Sequence, residues 1–267
     1  MDLGFENATA AVTGGTKGMG RAIAECLAAE GASVAVLARG NDALADTVSR
    51  LEALGSPQAL GLSTDVTDRE QVERTFGELA DRFGSLNVLV NTVGPAAGRF
   101  EQLSDEDWIR AFELGTMAAV RCVRAALPLL RGAQWARIVN VSAHSTQRQS
   151  PILPAYTASK AALTSVSKNL AGSLAAEGIL VNTVSPGTIV TASFTEALRD
   201  VFAERGLDAS DPHDVMQWID EVFHQPADLG RAGLPEEVAA VACFLASRRN
   251  GYVTGANVNV DGGSDFV

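Results

Sequence analysis

Thr13-Gly14-Gly15-Thr16-Lys17-Gly18-Met19-Gly20 follows the apolar run 8–12 and opens a helical pattern over 21–30. Gly14, Gly18 and Gly20 allow a tight turn, close approach of the backbone to a pyrophosphate, and tight packing of helix on strand. Phosphates then rest on the amides of the helix N-terminus. A glycine-rich stretch alone is weak evidence; the strand before it and the helix after it give it meaning. Gly14, Thr16, Lys17, Gly18, Met19 and Gly20 are therefore the expected phosphate-binding turn.

Outward from that turn, short apolar runs alternate with longer helical patterns. Strands are predicted at 9–13, 33–38, 58–63, 87–91, 137–142, 180–185 and 257–260, and helices at 18–30, 43–54, 69–83, 105–130, 154–177 and 236–247. Strands rich in Val, Ile and Leu, separated by helices, imply βαβ units and a parallel sheet covered on both faces. The expected architecture is a doubly wound α/β fold of Rossmann type, one domain over 1–267. The segment 191–230 breaks the rhythm. Phe194, Leu198, Val201 and Phe202, then Val215, Trp218, Ile219 and Val222, recur at helical intervals, with Phe223 alongside. It reads as an inserted helical lid over the substrate.

The chain has 267 residues, 46% of them hydrophobic, and a net charge of −11. Its mean hydropathy is +0.10. Disorder is excluded by the apolar content, and nucleic acid or an anionic membrane as main partner by the charge. No apolar run approaches the roughly 18 residues of a membrane span, and the N-terminus has no basic leader pattern. Cys26, Cys122 and Cys243 are far apart and odd in number, which argues against disulfides and zinc and makes the cytoplasm the expected compartment. His144, His213 and His224 have no metal-ligand spacing, and no metal site is expected.

Tyr156 and Lys160 stand four residues apart in Tyr156-Thr157-Ala158-Ser159-Lys160, within a helical segment. One turn separates them, so phenol and ammonium share a face. An adjacent cation favours the phenolate and is expected to lower the tyrosine pKa toward neutrality. Tyr156 then exchanges protons with a carbonyl or alcohol. For an isolated pair the simpler reading, two surface residues of an amphipathic helix, would prevail; the phosphate-binding turn upstream overrides it.

Together these motifs resemble the short-chain dehydrogenase/reductase family, nearly end to end. Thr13–Gly20 matches the T-G-x-x-x-G-x-G turn, and Tyr156 with Lys160 the catalytic Y-x-x-x-K. Asp65-Val66 resembles the adenine-contacting acid and its neighbour. Asn91-Thr92-Val93-Gly94 resembles the N-N-A-G stretch, with two departures. Ser185-Pro186-Gly187 and Thr191 match the motif and hydroxyl that hold the nicotinamide carboxamide, with Ile189 assigned to the same contacts. Gly230-Arg231 and Asp261-Gly262-Gly263 match the C-terminal region. The resemblance implies seven parallel strands in order 3-2-1-4-5-6-7 and a cofactor at their carboxyl ends. It also implies hydride transfer with Tyr156 as acid or base and Lys160 on the ribose, and assembly into a homotetramer or homodimer through the long helices at 105–130 and 154–177.

The second strand ends Val36-Leu37-Ala38-Arg39-Gly40 without a carboxylate to accept from a ribose 2′-hydroxyl. Arg39 offers a guanidinium to a 2′-phosphate and Lys17 a second cation, so NADP(H) is expected over NAD(H). Asp42, the nearest rival acid, is expected to cap the next helix. Two departures concern catalysis. The family serine, thirteen residues before the tyrosine, aligns with Ala143, leaving Ser142, Ser145 or His144 to orient the carbonyl; Ser142 is taken as the catalytic candidate. The family helix asparagine aligns with Gly115, which keeps the main-chain carbonyl and can distort the helix.

The expected function is an NADP(H)-dependent oxidoreductase interconverting a secondary alcohol with a ketone, a 3-oxoacyl-like or a bulky apolar carbonyl compound. The lid's apolar faces favour large hydrophobic ketones. The alternative is a cofactor-binding protein of this fold with weak or no catalysis, a sensor or scaffold, supported by Gly115 and Ala143.

Overall fold

The computed structural model describes residues 2–264. Seven parallel strands form one sheet: β1 (Thr9–Thr13), β2 (Ser33–Ala38), β3 (Ala59–Ser63), β4 (Val88–Asn91), β5 (Ala136–Val141), β6 (Ile179–Pro186) and β7 (Asn257–Val260). Their order is β3-β2-β1-β4-β5-β6-β7, as the resemblance implied. The strands read as continuous apolar runs because both faces are covered; β4 and β5 are buried at every position.

One layer carries α1 (Gly18–Ala29), α2 (Asn41–Ala53) and α9 (Pro235–Ala246). The other carries α3 (Arg69–Phe83), α5 (Ala118–Gly132) and α6 (Pro154–Leu174). Asp68 caps α3, accepting from the amides of Glu70 and Gln71. Asp42 does not cap α2. The helix starts at Asn41 behind Gly40, and Asp42 stands in its first turn, where a carboxylate suits the positive end of the helix.

The predicted helix over 105–130 is interrupted. α4 (Asp105–Phe112) passes through a wide π turn (Glu113–Met117) into α5. Such insertions accompany functional sites in helices. Gly115 lies in the turn, in keeping with its expected effect on the helix.

The segment 191–230 folds as α7 (Ala192–Ala203) and α8 (Pro212–Phe223). Thr191 caps α7 by accepting from the Phe194 amide at 3.2 Å, and Asp211 caps α8. The two apolar faces meet each other. Phe202 and Val215 are fully buried, with Val190, Ala209, Met216, Ala227 and Ala232 around them. Phe194, Phe202, Trp218 and Phe223 form a chain of ring contacts with centroids 5.2–6.3 Å apart. This corrects the reading of the lid as an apolar surface turned toward substrate: its largest side chains fill a small core of its own.

Phe202→Ala therefore removes the centre of that core, a change of the kind that costs about 3–5 kcal/mol. Hydrogen exchange is expected to accelerate in α7 and α8 while β1, β4 and β5 keep their protection. Unchanged exchange in α7 would show that the lid is held by other contacts.

Candidate active site

At the switch point, where the chain leaves β1 in one direction and β4 in the other, Thr92 clasps the two strands. Its hydroxyl donates to the Thr13 carbonyl at 2.6 Å and its amide to the Thr13 hydroxyl at 3.2 Å. The glycine turn folds down onto this clasp. A Cβ on Gly14 would stand 2.8 Å from the Thr92 hydroxyl, and one on Gly20 2.7 Å from it. Gly14 also has φ +67° and Gly18 +53°, the left-handed region that favours glycine. Lys17 is the residue before α1, and no side chain caps that helix end. The first amides of α1 thus face an open cleft, the arrangement that accepts phosphate.

The cleft has a volume of about 1170 Å³. It gathers Gly14, Thr16, Lys17, Gly18, Met19, Gly20, Arg39, Asp65, Val66 and Thr191 from the sequence-derived set. It also brings in groups that set missed, notably Thr64, Thr92, Gly94, Arg110 and Glu113. Thr92 and Gly94 lay in the recognised stretch after β4; for Arg110 and Glu113 the sequence carries no signal beyond helical periodicity. Asp65 accepts from the amide and hydroxyl of Thr67 at 2.9 and 2.7 Å. Those bonds, with a further contribution from Arg39, hold its carboxyl below the usual range. Thr191 accepts in its cap, so its own O–H remains a donor.

Lys160 is buried, 2% exposed, below Gly94. Its ammonium donates to the carbonyls of Val93 at 3.0 Å and Val141 at 2.7 Å. Burial lowers its pKa to about 8. Tyr156 packs beside the same glycine, its Cε2 3.7 Å from where a Gly94 Cβ would stand. Its pKa is pushed up to about 12 by burial. This corrects the expectation of a lowered tyrosine pKa: the ammonium is directed at two carbonyls, and desolvation of the phenolate dominates.

Other residues fall elsewhere. Asn91 does not face the cleft; its amide donates to Asn140 Oδ1 at 2.8 Å inside the sheet, and Asn140 donates to Ser167. Ser142 is 2% exposed, with its hydroxyl 3.1 Å from the Lys160 carbonyl and 2.8 Å from the Thr164 hydroxyl. Its bonding is spent on α6, which corrects its assignment as the group that orients a substrate carbonyl. Ser145 is likewise buried and accepts from Thr157. His144 is partly exposed, its Nδ1 3.1 Å from the Pro186 carbonyl. Pro186, Gly187 and Ile189 lie outside the lining of the large cleft. Gly187 packs on Asp261, and Ile189 pairs with Gly233.

Gly115 governs how closely the π turn approaches α6. A Cβ there would stand 2.7 Å from the Ser159 Cβ and collide with the Ser159 hydroxyl. Ser159 itself donates to the Tyr156 carbonyl at 2.8 Å. Among the described residues no cluster of three or more His, Cys, Asp or Glu side chains is placed to hold a metal, and no helix is long and apolar enough to cross a membrane.

The family model described as enoyl-(acyl carrier protein) reductase matches residues 14–265. A rhamnolipid-biosynthesis 3-oxoacyl-[acyl-carrier-protein] reductase of Pseudomonas aeruginosa is 34% identical over 95% of this chain and 94% of its own. A D-beta-hydroxybutyrate dehydrogenase of Rhizobium meliloti is 29% identical over 96% and 97%. The crystal structure of L-sorbose reductase from Gluconobacter frateurii, complexed with NADPH and L-sorbose, superimposes with a TM-score of 0.92 at 31% identity, covering both chains completely. With its seven-stranded sheet, glycine turn and Tyr156–Lys160 pair, the chain belongs to the short-chain dehydrogenase/reductase family. Within it, the chain is an oxidoreductase of the carbonyl/alcohol type.

Two outcomes follow from this geometry. Gly115→Ala is expected to lower thermal stability and, by displacing α6 beneath Tyr156, to lower turnover; a variant with unchanged melting and rate would show that the π turn relaxes freely. In a Tyr252→Phe background Tyr156 is the sole tyrosine. Its phenolate absorbance is then expected to rise only toward pH 12, and a midpoint at or below the ordinary value of 10.0 would contradict the burial argument.

Proposed function

We propose that this chain is an NADP(H)-dependent reductase that converts a small polar ketone to its secondary alcohol. The observation that carries it is the buried Lys160 ammonium fixed beneath Gly94 of the cleft, with Tyr156 one turn earlier on the same helix. The cleft suits a dinucleotide phosphate on geometric grounds: uncapped α1 amides, glycines a Cβ would obstruct, and two cations, Lys17 and Arg39, on its rim. Asp65, the acid next to Arg39, is occupied by Thr67, which leaves the guanidinium to a 2′-phosphate. NADP(H), when bound, supplies the hydride. Tyr156 keeps its proton at neutral pH and so has one to give to a carbonyl oxygen. Lys160 would hold the ribose of the bound cofactor and supply positive charge on the side of the phenol, and Thr191 would offer its O–H to the carboxamide. The complex of L-sorbose reductase with NADPH supports the same cofactor by likeness.

The substrate reading rests on what the lid does with its apolar residues. They close on one another, and its C-terminal end meets polar groups instead. Gln225 donates to the Gln149 carbonyl at 3.2 Å, and Arg148 bonds the Ser264 and His224 carbonyls. On that ground we read the substrate mouth as polar, in place of the apolar one expected from the sequence. We place a second subunit of a homodimer or homotetramer on the long helices at 105–130 and 154–177; light scattering reads the assembly.

Tyr156→Phe is expected to lower ketone reduction by roughly 10²–10⁴-fold with NADPH binding retained. Arg39→Asp is expected to weaken NADPH and strengthen NADH. Retained turnover in the phenylalanine variant would remove the proposed acid. Absence of turnover on any ketone or alcohol, with NADPH bound normally, would favour the sensor or scaffold reading.

A further inference from the structure

We infer that Cys26 and Cys243 form an oxidisable dithiol, which a hydroperoxide converts to a disulfide joining α1 to α9. The three cysteines of the chain divide sharply. Cys122 is buried in α5, and burial pushes its thiol up to about 12, so it is inert. Cys26 and Cys243 lie on the two helices that pack together, α1 and α9, and belong to the same apolar cluster. Both helices bring small side chains to that cluster, Ala24 and Ala28 from α1 and Ala239, Ala242 and Ala246 from α9. The Cys243 sulfur lies 3.9 Å from the Ile23 carbonyl, three residues before Cys26 and on the face of α1 that carries it, and each of the two thiols shifts the acidity of the other.

The two sulfurs are not equivalent. Cys26 is partly exposed; Cys243 is fully buried. The hydrogen bond from Cys243 lowers the Cys26 thiol below its usual range. The same bond, followed by burial, holds Cys243 well above it. An accessible thiol beside an enclosed one separates an attacking sulfur from a resolving sulfur, and the directions of the two acidities agree with that division.

The chemistry balances with the hydroperoxide as sole oxidant. The Cys26 thiolate attacks the terminal peroxide oxygen, the O–O bond breaks, and the alkoxide leaves as alcohol after taking up a proton. Cys26 is then a sulfenic acid. Cys243 gives up its proton and attacks the Cys26 sulfur; the S–O bond breaks and water departs. Two thiols lose two electrons, and one hydroperoxide becomes one alcohol and one water (with hydrogen peroxide, two waters). The bond would tie the helix whose first turn carries Gly18 and Gly20 to a helix far along the chain.

The test uses the intact protein and hydrogen peroxide. After brief oxidation and denaturation, thiols titratable with a chromogenic disulfide reagent are expected to fall from three to one, and the intact mass by two hydrogens. A Cys26–Cys243 peptide is expected, and dithiothreitol should restore all three thiols. In Cys243→Ser, Cys26 is expected to stop at sulfenic acid, trapped by dimedone; Cys243→Ala serves if the serine variant folds poorly. In Cys26→Ser no thiol should be lost. Retention of three thiols in the oxidised wild-type protein would overturn the inference, leaving the pair as ordinary core packing. A bond between chains, or a dimedone adduct in the wild type equal to that of the Cys243 variant, would overturn it as well.

Discussion

A buried ammonium ion organises the centre of this molecule. Lys160 has exchanged water for two backbone carbonyls, those of Val93 and Val141. An isolated charge removed from water costs several kcal/mol, recovered only through well-placed partners. The carbonyls at the ends of β4 and β5 must therefore hold their positions, and α6 must deliver the lysine between them. Tyr156, one turn earlier, inherits a fixed position from that requirement. The charge governs placement more than acidity, because its hydrogen bonds run to carbonyls while the phenol is governed by its own desolvation.

A second clasp sets the dinucleotide side. Thr92 ties itself to Thr13 across the switch point, and the glycine turn lies so close above that side chains at 14 or 20 would strike its hydroxyl. The requirement for glycine is thus imposed from below by a threonine as much as from above by a phosphate. This threonine occupies one of the two positions at which the stretch after β4 departs from its family pattern, and the departure has a definite structural role.

The sheet was legible because burial on both faces writes each strand as an uninterrupted apolar run, and five helices, α1, α2, α3, α6 and α9, followed from their period. The glycine turn, Arg39, Asp65 and Thr191 were legible because their chemistry depends on local spacing, and all meet in one cleft. What escaped depended on direction rather than identity. Asn91 and Ser142 occupy the anticipated places on β4 and at the end of β5, but pairing with Asn140 and Thr164 turns them inward. Periodicity over 105–130 reports apolar positions and is blind to one extra residue in a turn, so the π segment at Gly115 passed as continuous helix. The lid's stripes were found, but a stripe does not say what covers it, and here the two stripes cover each other.

That mutual cover makes the lid a unit with its own cohesion, joined to the body through a short stem at Val190, Ala227 and Ala232. Its residues answer to one another rather than to the sheet. Surface positions on α7 and α8 are consequently free to drift without disturbing either the phosphate turn or the buried lysine. Such an arrangement separates about forty residues of the chain, whose surface can change, from the phosphate turn and the buried lysine, which must stay as they are.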